Sequence, residues 1–123
     1  MSMFVTAFLM AALSQPNASS WTRLFQDVSE TTYLGRSSGT GTAREKIFWL
    51  RHVFPKPRAK GVKYSQDQWQ VNCTSGTYMM LAVVQYDARG RMISAQAVPL
   101  NARIPAQVEP SSRMEAVFRA VCR

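Results

Sequence analysis

The chain has 123 residues, of which 46% are hydrophobic, 11% aromatic and 18% charged; this suffices for one packed core and argues against two domains, a coiled coil or a disordered tail. Its formal net charge is +8, and because the first twenty residues carry no charged side chain, all of that charge lies on residues 21–123. Such a balance attracts acidic partners, whether nucleic acid, anionic lipid headgroups or acidic glycans, without selecting one.

"MFVTAFLMAAL" is an apolar run too short for a membrane span, which needs about 20 residues, and it is followed by Pro16 and the small residues Ala18, Ser19 and Ser20. Residues 1–20 are therefore expected to be a signal peptide, cleaved before Trp21, with 21–123 as a single exported domain. No Lys or Arg precedes the run, so the usual positive end reduces to the α-amino group. A packed N-terminal helix would need a polar face, and Phe4 to Leu13 offer none. No lipid-accepting cysteine follows, so the product is expected in the periplasm, on the cell surface or in the medium, with membrane association at most peripheral.

From Trp21 the sequence reads mostly as strands. In "WTRLFQDV" strict alternation puts Trp21, Arg23, Phe25 and Asp27 on one face and Thr22, Leu24, Gln26 and Val28 on the other, a mixed pattern suited to an edge. "TTYLG" is a second extended piece, and "SSGTGT" from Ser37 to Thr42 is expected to be a loop. "REKIFWLRHVF" turns Ile47, Trp49 and Val53 one way and Phe48, Leu50 and Phe54 the other, so both faces are covered and the strand is central. "PKPRAKGVK", with its prolines, glycine and cations, predicts an exposed loop without regular structure.

"DQWQVNC" then alternates, with Trp69, Val71 and Cys73 inward and Gln68, Gln70 and Asn72 outward. "TYMMLAVVQY", the turn "DARG" and "RMISAQAVP" form a hairpin in which Gly90 is placed to take positive φ. The prolines of "LNARIPAQVEP" exclude a long element there. The last element is a helix: Ser112 and Glu115 have the spacing of a capping box, and Met114, Val117, Phe118 and Val121 recur at offsets of three, four and seven. A helix this short does not persist alone in water and must dock on the sheet.

Cys73 ends an inward-facing strand and Cys122 ends that helix, in a chain expected to be exported. A disulfide between them is the economical inference. In the chain-entropy model, closing a loop of this length stabilises the fold by about 4 kcal/mol. The thiols are not in a CxxC, and one histidine cannot complete a four-ligand zinc site with them, so no metal and no cofactor are expected.

The extended segments around "TTYLG", the "IFWL" strand, the tryptophan strand ending in a cysteine, the "Y-D-x-x-G" hairpin and above all "P-S-S-x-x-E-A-V-F-R-A-V-C" resemble the surface-adhesin E family of small bacterial envelope proteins. The resemblance spans Trp21 to Cys122 and is most specific at Cys73, Gly90, Pro110, Ser112, Glu115, Val121 and Cys122. It implies an α+β fold: a small antiparallel sheet of about six strands with one C-terminal α-helix disulfide-linked to it. The strand count above agrees. Asn72 stands where the family usually has an acidic residue, and residues 100–108 lack the tryptophan the family often carries there. These departures bear on the ligand rather than the fold.

Catalysis requires a nucleophile with a base, paired carboxylates or a metal cluster. His52 is the only histidine and is expected to be a packed or solvated side chain; the seven carboxylates look scattered, and no nucleophile elbow or phosphate-cradling loop occurs. An enzyme is not expected. The sequon at Asn72 would set a glycan beside the disulfide and is discounted. The candidate binding patch is Lys56, Arg58, Lys60 and Lys63, joined by Arg36, Arg89 and Arg91 if their turns share its end of the sheet; the competing view is a solvated loop whose charge only maintains solubility.

Three functions compete. The first is an exported adhesion module for a protein or acidic macromolecule, a host-matrix or envelope component. The second is a periplasmic structural or accessory protein, with an open sheet edge available for homodimerisation. The third, a nucleic-acid-binding β-domain, needs exposed rings interleaved with cations, whereas here the rings lie in apolar strands and the cations in a loop. Nucleic acid is therefore not an expected partner.

Overall fold

The computed structural model describes residues 21–35, 40–42 and 44–122. The expected signal peptide, Arg36 and the start of the "SSGTGT" loop lie outside the described residues.

Among the described residues, eight strands form one antiparallel sheet: β1 (Trp21–Gln26), β2 (Thr31–Gly35), β3 (Thr40–Gly41), β4 (Glu45–Val53), β5 (Tyr64–Asn72), β6 (Thr77–Tyr86), β7 (Met92–Ala97) and β8 (Ala106–Gln107). The main order is β1-β2-β4-β5-β6-β7, the six strands expected. Two-residue β3 pairs with β4 on the side that β2 occupies, and β8 does the same for β6 beside β7. One α-helix, α1 (Arg113–Val121), follows.

The core is Phe48, Leu50, Val71 and Val117, with Leu24, Phe25, Leu34, Trp69, Tyr78, Met114, Phe118 and Val121 packed around it. Val117 and the helical stripe thus dock on the face formed by the inward residues of β4 and β5, as the periodicity requires. Full burial of side chains of this size contributes about 1.5–3 kcal/mol each.

Strict alternation fails at β1. A register shift between Arg23 and Phe25 inserts a bulge, so Trp21 stays on the face opposite α1, over Arg51, while Phe25 joins Leu24 in the core. One extra residue reverses every later side chain of a strand.

Cys73 and Cys122 are bonded, their Cα atoms 5.6 Å apart, fixing the C-terminus of α1 to the end of β5. At the other helix end the Ser112 Oγ accepts from the Glu115 amide at 3.2 Å, and Glu115 Oε1 reaches back to the Ser111 amide at 3.0 Å, one residue before the position a capping box would use. Gly90 takes φ +81° in the β6–β7 turn, as its place predicted.

Candidate functional site

The turns at residues 27–30, 54–63 and 87–91 meet at one end of the sheet. Thr31 pairs with Val53, Val53 with Tyr64 and Tyr64 with Tyr86, so the three connections leave neighbouring strands side by side. The Lys63 amide also donates to the Tyr86 carbonyl at 2.8 Å. Lys56, Arg58, Lys60 and Lys63 therefore share this end with Arg89 and Arg91.

These cations are not equivalent. Arg58 stacks over the Phe54 ring at 3.7 Å, donates to the Ser29 carbonyl at 3.3 Å and lies 4.0 Å from Glu30 Oε1. Lys63 Nζ donates to the Pro55 carbonyl at 2.9 Å, and Arg91 Nε bonds Asp87 Oδ2 at 2.9 Å. Arg58, Lys63 and Arg91 shape the loops. Lys56, Lys60 and Arg89 are exposed and have no side-chain partner among the described residues, so their charge is available.

The loop holding them is more ordered than its composition predicted. Ala59–Gly61 is a single 3-10 turn, closed by Arg58 accepting from Gly61 and donating to Val62, with Lys60 at φ +65° and Gly61 at φ +78°. The prolines exclude longer elements, but one tight turn needs only local amides. Beside it, Val28, Ser29, Phe54, Pro55, Lys56 and Arg58 line a surface hollow of about 340 Å³. Val28 is 97% exposed there, an apolar side chain held in water on the hollow that the free cation Lys56 also lines.

Beneath this end lies a polar cluster that strand alternation alone did not reveal. His52 Nδ1 is 2.7 Å from Glu30 Oε2, and its Nε2 is 2.8 Å from Asp67 Oδ2, with Thr32 Oγ1 3.1 Å from Nδ1. The two carboxylates that looked scattered meet on one ring. Burial alone would lower the histidine pKa; the hydrogen bonds and charges of Asp67 and then Glu30 outweigh it and raise the pKa. Arg113 of α1 pairs with Asp27 and approaches Glu30 at 3.7 Å. The cluster thus couples β2, β4 and β5 to the basic loop and to the first turn of the helix.

A carboxylate–histidine pair invites comparison with a catalytic dyad. Here both ring nitrogens face carboxylates, which leaves no lone pair to take a proton from a nucleophile. The geometry suits a structural ion triad. Asn72 Oδ1 accepts from the amides of Thr74 and Ser75 at 2.9 and 3.0 Å, so it caps the β5–β6 turn. No helix among the described residues is long and apolar enough to cross a membrane, and no group of three or more His, Cys, Asp or Glu among them could hold a metal ion.

A family model described as surface-adhesin protein E matches residues 21–123. Among solved structures, the crystal structure of protein E from non-typeable Haemophilus influenzae is similar at 15% identity with a TM-score of 0.60, over 86% of this chain and 77% of that one. A second crystal form of Haemophilus influenzae protein E gives 13% identity and a TM-score of 0.60, over 88% and 91% of the two chains. No curated protein matches the chain in sequence. At such identities the solved structures establish the shared fold.

Proposed function

Given that the chain belongs to the surface-adhesin protein E family, we propose that it is an exported, non-enzymatic binding module that contacts a host-matrix or envelope macromolecule through the cationic end of its sheet. The observation that supports this most is the placement of Lys56, Lys60 and Arg89: exposed cations without side-chain partners among the described residues, carried on turns at one end of the sheet, with Lys56 lining a hollow that shows Val28 to solvent. An acidic surface with an apolar side chain at its centre would be complementary to that arrangement. Cleavage before Trp21 would release the whole folded domain, since β1 begins at that residue.

The test is binding of the exported chain to immobilised matrix proteins at physiological salt, compared with the double variant Lys56→Gln and Lys60→Gln. Loss of binding with unchanged melting supports the loop end as the contact; unchanged binding removes it. Recovery of mature protein beginning at Trp21 outside the cytoplasm would support export. A second reading, an accessory envelope protein working as a homodimer, draws on β7, whose Ala95, Gln96 and Ala97 are exposed on the last strand of the sheet. Sedimentation of the exported chain would distinguish it.

A further inference from the structure

The face of the sheet opposite α1 carries a second constellation, independent of the loop end. Arg51 sits on β4 with its guanidinium carbon 4.5 Å from the Trp21 ring centroid and 5.1 Å from that of Tyr64. It is thus a cation clasped between an indole on β1 and a phenol on β5. Trp21, Tyr33, Arg51 and Val53 line a cavity of about 260 Å³.

Two features of this cavity are unbalanced. Arg51 has no carboxylate partner among the described residues, and burial pushes its pKa down, with the phenols of Tyr64, Tyr86 and Tyr33 acting in the opposite direction. In addition, Arg51 Nε and Trp21 Nε1 are buried donors without an acceptor among the described residues. Buried donors are almost always paired, so orphans on two residues of one cavity call for an explanation. Gln66 Oε1, an orphan acceptor on the strand position paired with Arg51, would satisfy Nε if it turned toward it. That exchange leaves the indole donor and the uncompensated cation as they were.

We infer that this cavity binds a small ring-bearing carboxylate, with the acid on the guanidinium edge of Arg51 and the ring against Trp21 or Tyr33. The chemistry follows from the parts. A planar guanidinium held between aromatic faces keeps its in-plane donors free for a bidentate carboxylate. The flanking rings offer flat apolar surface to a sugar or an arene. Two sources carry that chemistry, an acidic sugar of a glycan and an aromatic acid.

The experiment titrates the exported, mass-verified chain with N-acetylneuraminic acid and its methyl ester, and with benzoate and benzamide, following tryptophan fluorescence and the amide shifts of β1, β2 and β4. At least one acid is expected to saturate with a Kd at or below the millimolar range, and its uncharged counterpart to bind at least about tenfold more weakly. Whichever acid does so identifies the source. Arg51→Gln should abolish the response, and Arg51→Lys should retain part of it, since a point charge replaces the fork. The inference is overturned if neither acid saturates by about 10 mM, if acid and neutral counterpart bind alike, or if folded Arg51→Gln binds as the parent does. Should Arg51→Gln fail to fold, the acid-to-neutral comparison on the unaltered chain still decides. Lys56→Gln with Lys60→Gln should leave this binding intact; its loss in that variant would place the acid at the loop end and overturn the inference.

Discussion

His52 Nε2 lies 2.8 Å from Asp67 Oδ2 while Nδ1 of the same ring lies 2.7 Å from Glu30 Oε2. An ionised carboxylate only accepts, and a neutral imidazole has one N–H, so two such contacts need two ring protons. The geometry therefore describes an imidazolium between two carboxylates. It adds a positive charge that a formal count with neutral histidine omits, and this charge is internal, compensated within the fold.

Stability is expected to depend on this proton. The pKa of His52 is raised from its ordinary 6.5, so the triad contributes fully below that unfolded value and its contribution is lost as pH rises through the folded pKa. The groups facing the ring are Glu30, Asp67 and Thr32, with Arg58 and Arg113 behind Glu30. Melting temperature should fall from about pH 6 into the alkaline range, while His52→Gln should be less stable by about 3 kcal/mol at pH 6, with a flatter profile. A ring that titrates below 6.5 by NMR would contradict the assignment.

Most of this fold is legible in the sequence because its strands obey period two. The rule that turns Trp69, Val71 and Cys73 inward turns Asp67 inward with them, and the rule that faces Phe48 and Leu50 to the core does the same for His52. The inward carboxylate and histidine could thus have been read. What alternation does not contain is register: Leu50 stands opposite Asp67 and His52 opposite Ser65, a diagonal fixed by loop lengths. The bulge at β1 escaped for a similar reason, since an extra residue is visible only against its partner strand. Lys60 in the left-handed region escaped because most lysines avoid it.

The Cys73–Cys122 bond closes a separation of 49 residues. Replacing both by serine should lower stability by about 4 kcal/mol in the chain-entropy model, with α1 the first element to lose amide protection, because nine helical residues are too few to hold alone. Equal stability of oxidised and reduced protein in a denaturant titration would show that apolar docking of Val117 and Phe118 suffices.

Asp87 organises the β6–β7 turn by accepting from the amides of Arg91 and Arg89 and from the Arg91 side chain. The Arg91 amide is the largest of the influences that hold its pKa below the ordinary 3.8. Its contribution is present above that unfolded value and disappears as pH falls through the lower folded one. Asp87→Ala should speed amide exchange of Gly90 and Arg91 at neutral pH and remove this acid-dependent step. Unchanged exchange in the variant would show that Gly90 closes the turn unaided.

Charge and architecture are separable in the basic loop. Lys60 holds φ +65°, where an L side chain costs roughly 1–2 kcal/mol that glycine does not, while glycine adds back roughly 0.5–1 kcal/mol of unfolded-chain entropy. Lys60→Gly should therefore remove a free cation with little or no loss of stability. Arg58→Ala removes the stack on Phe54 and the bond to Ser29, and should cost about 1–2 kcal/mol. If the loop end binds an acidic surface, Lys60→Gly weakens that binding and flattens its salt dependence at constant melting temperature, whereas Arg58→Ala changes both quantities together. If Lys60→Gly and Lys56→Gln both bind as the parent does, these two cations serve solubility and the contact does not use them.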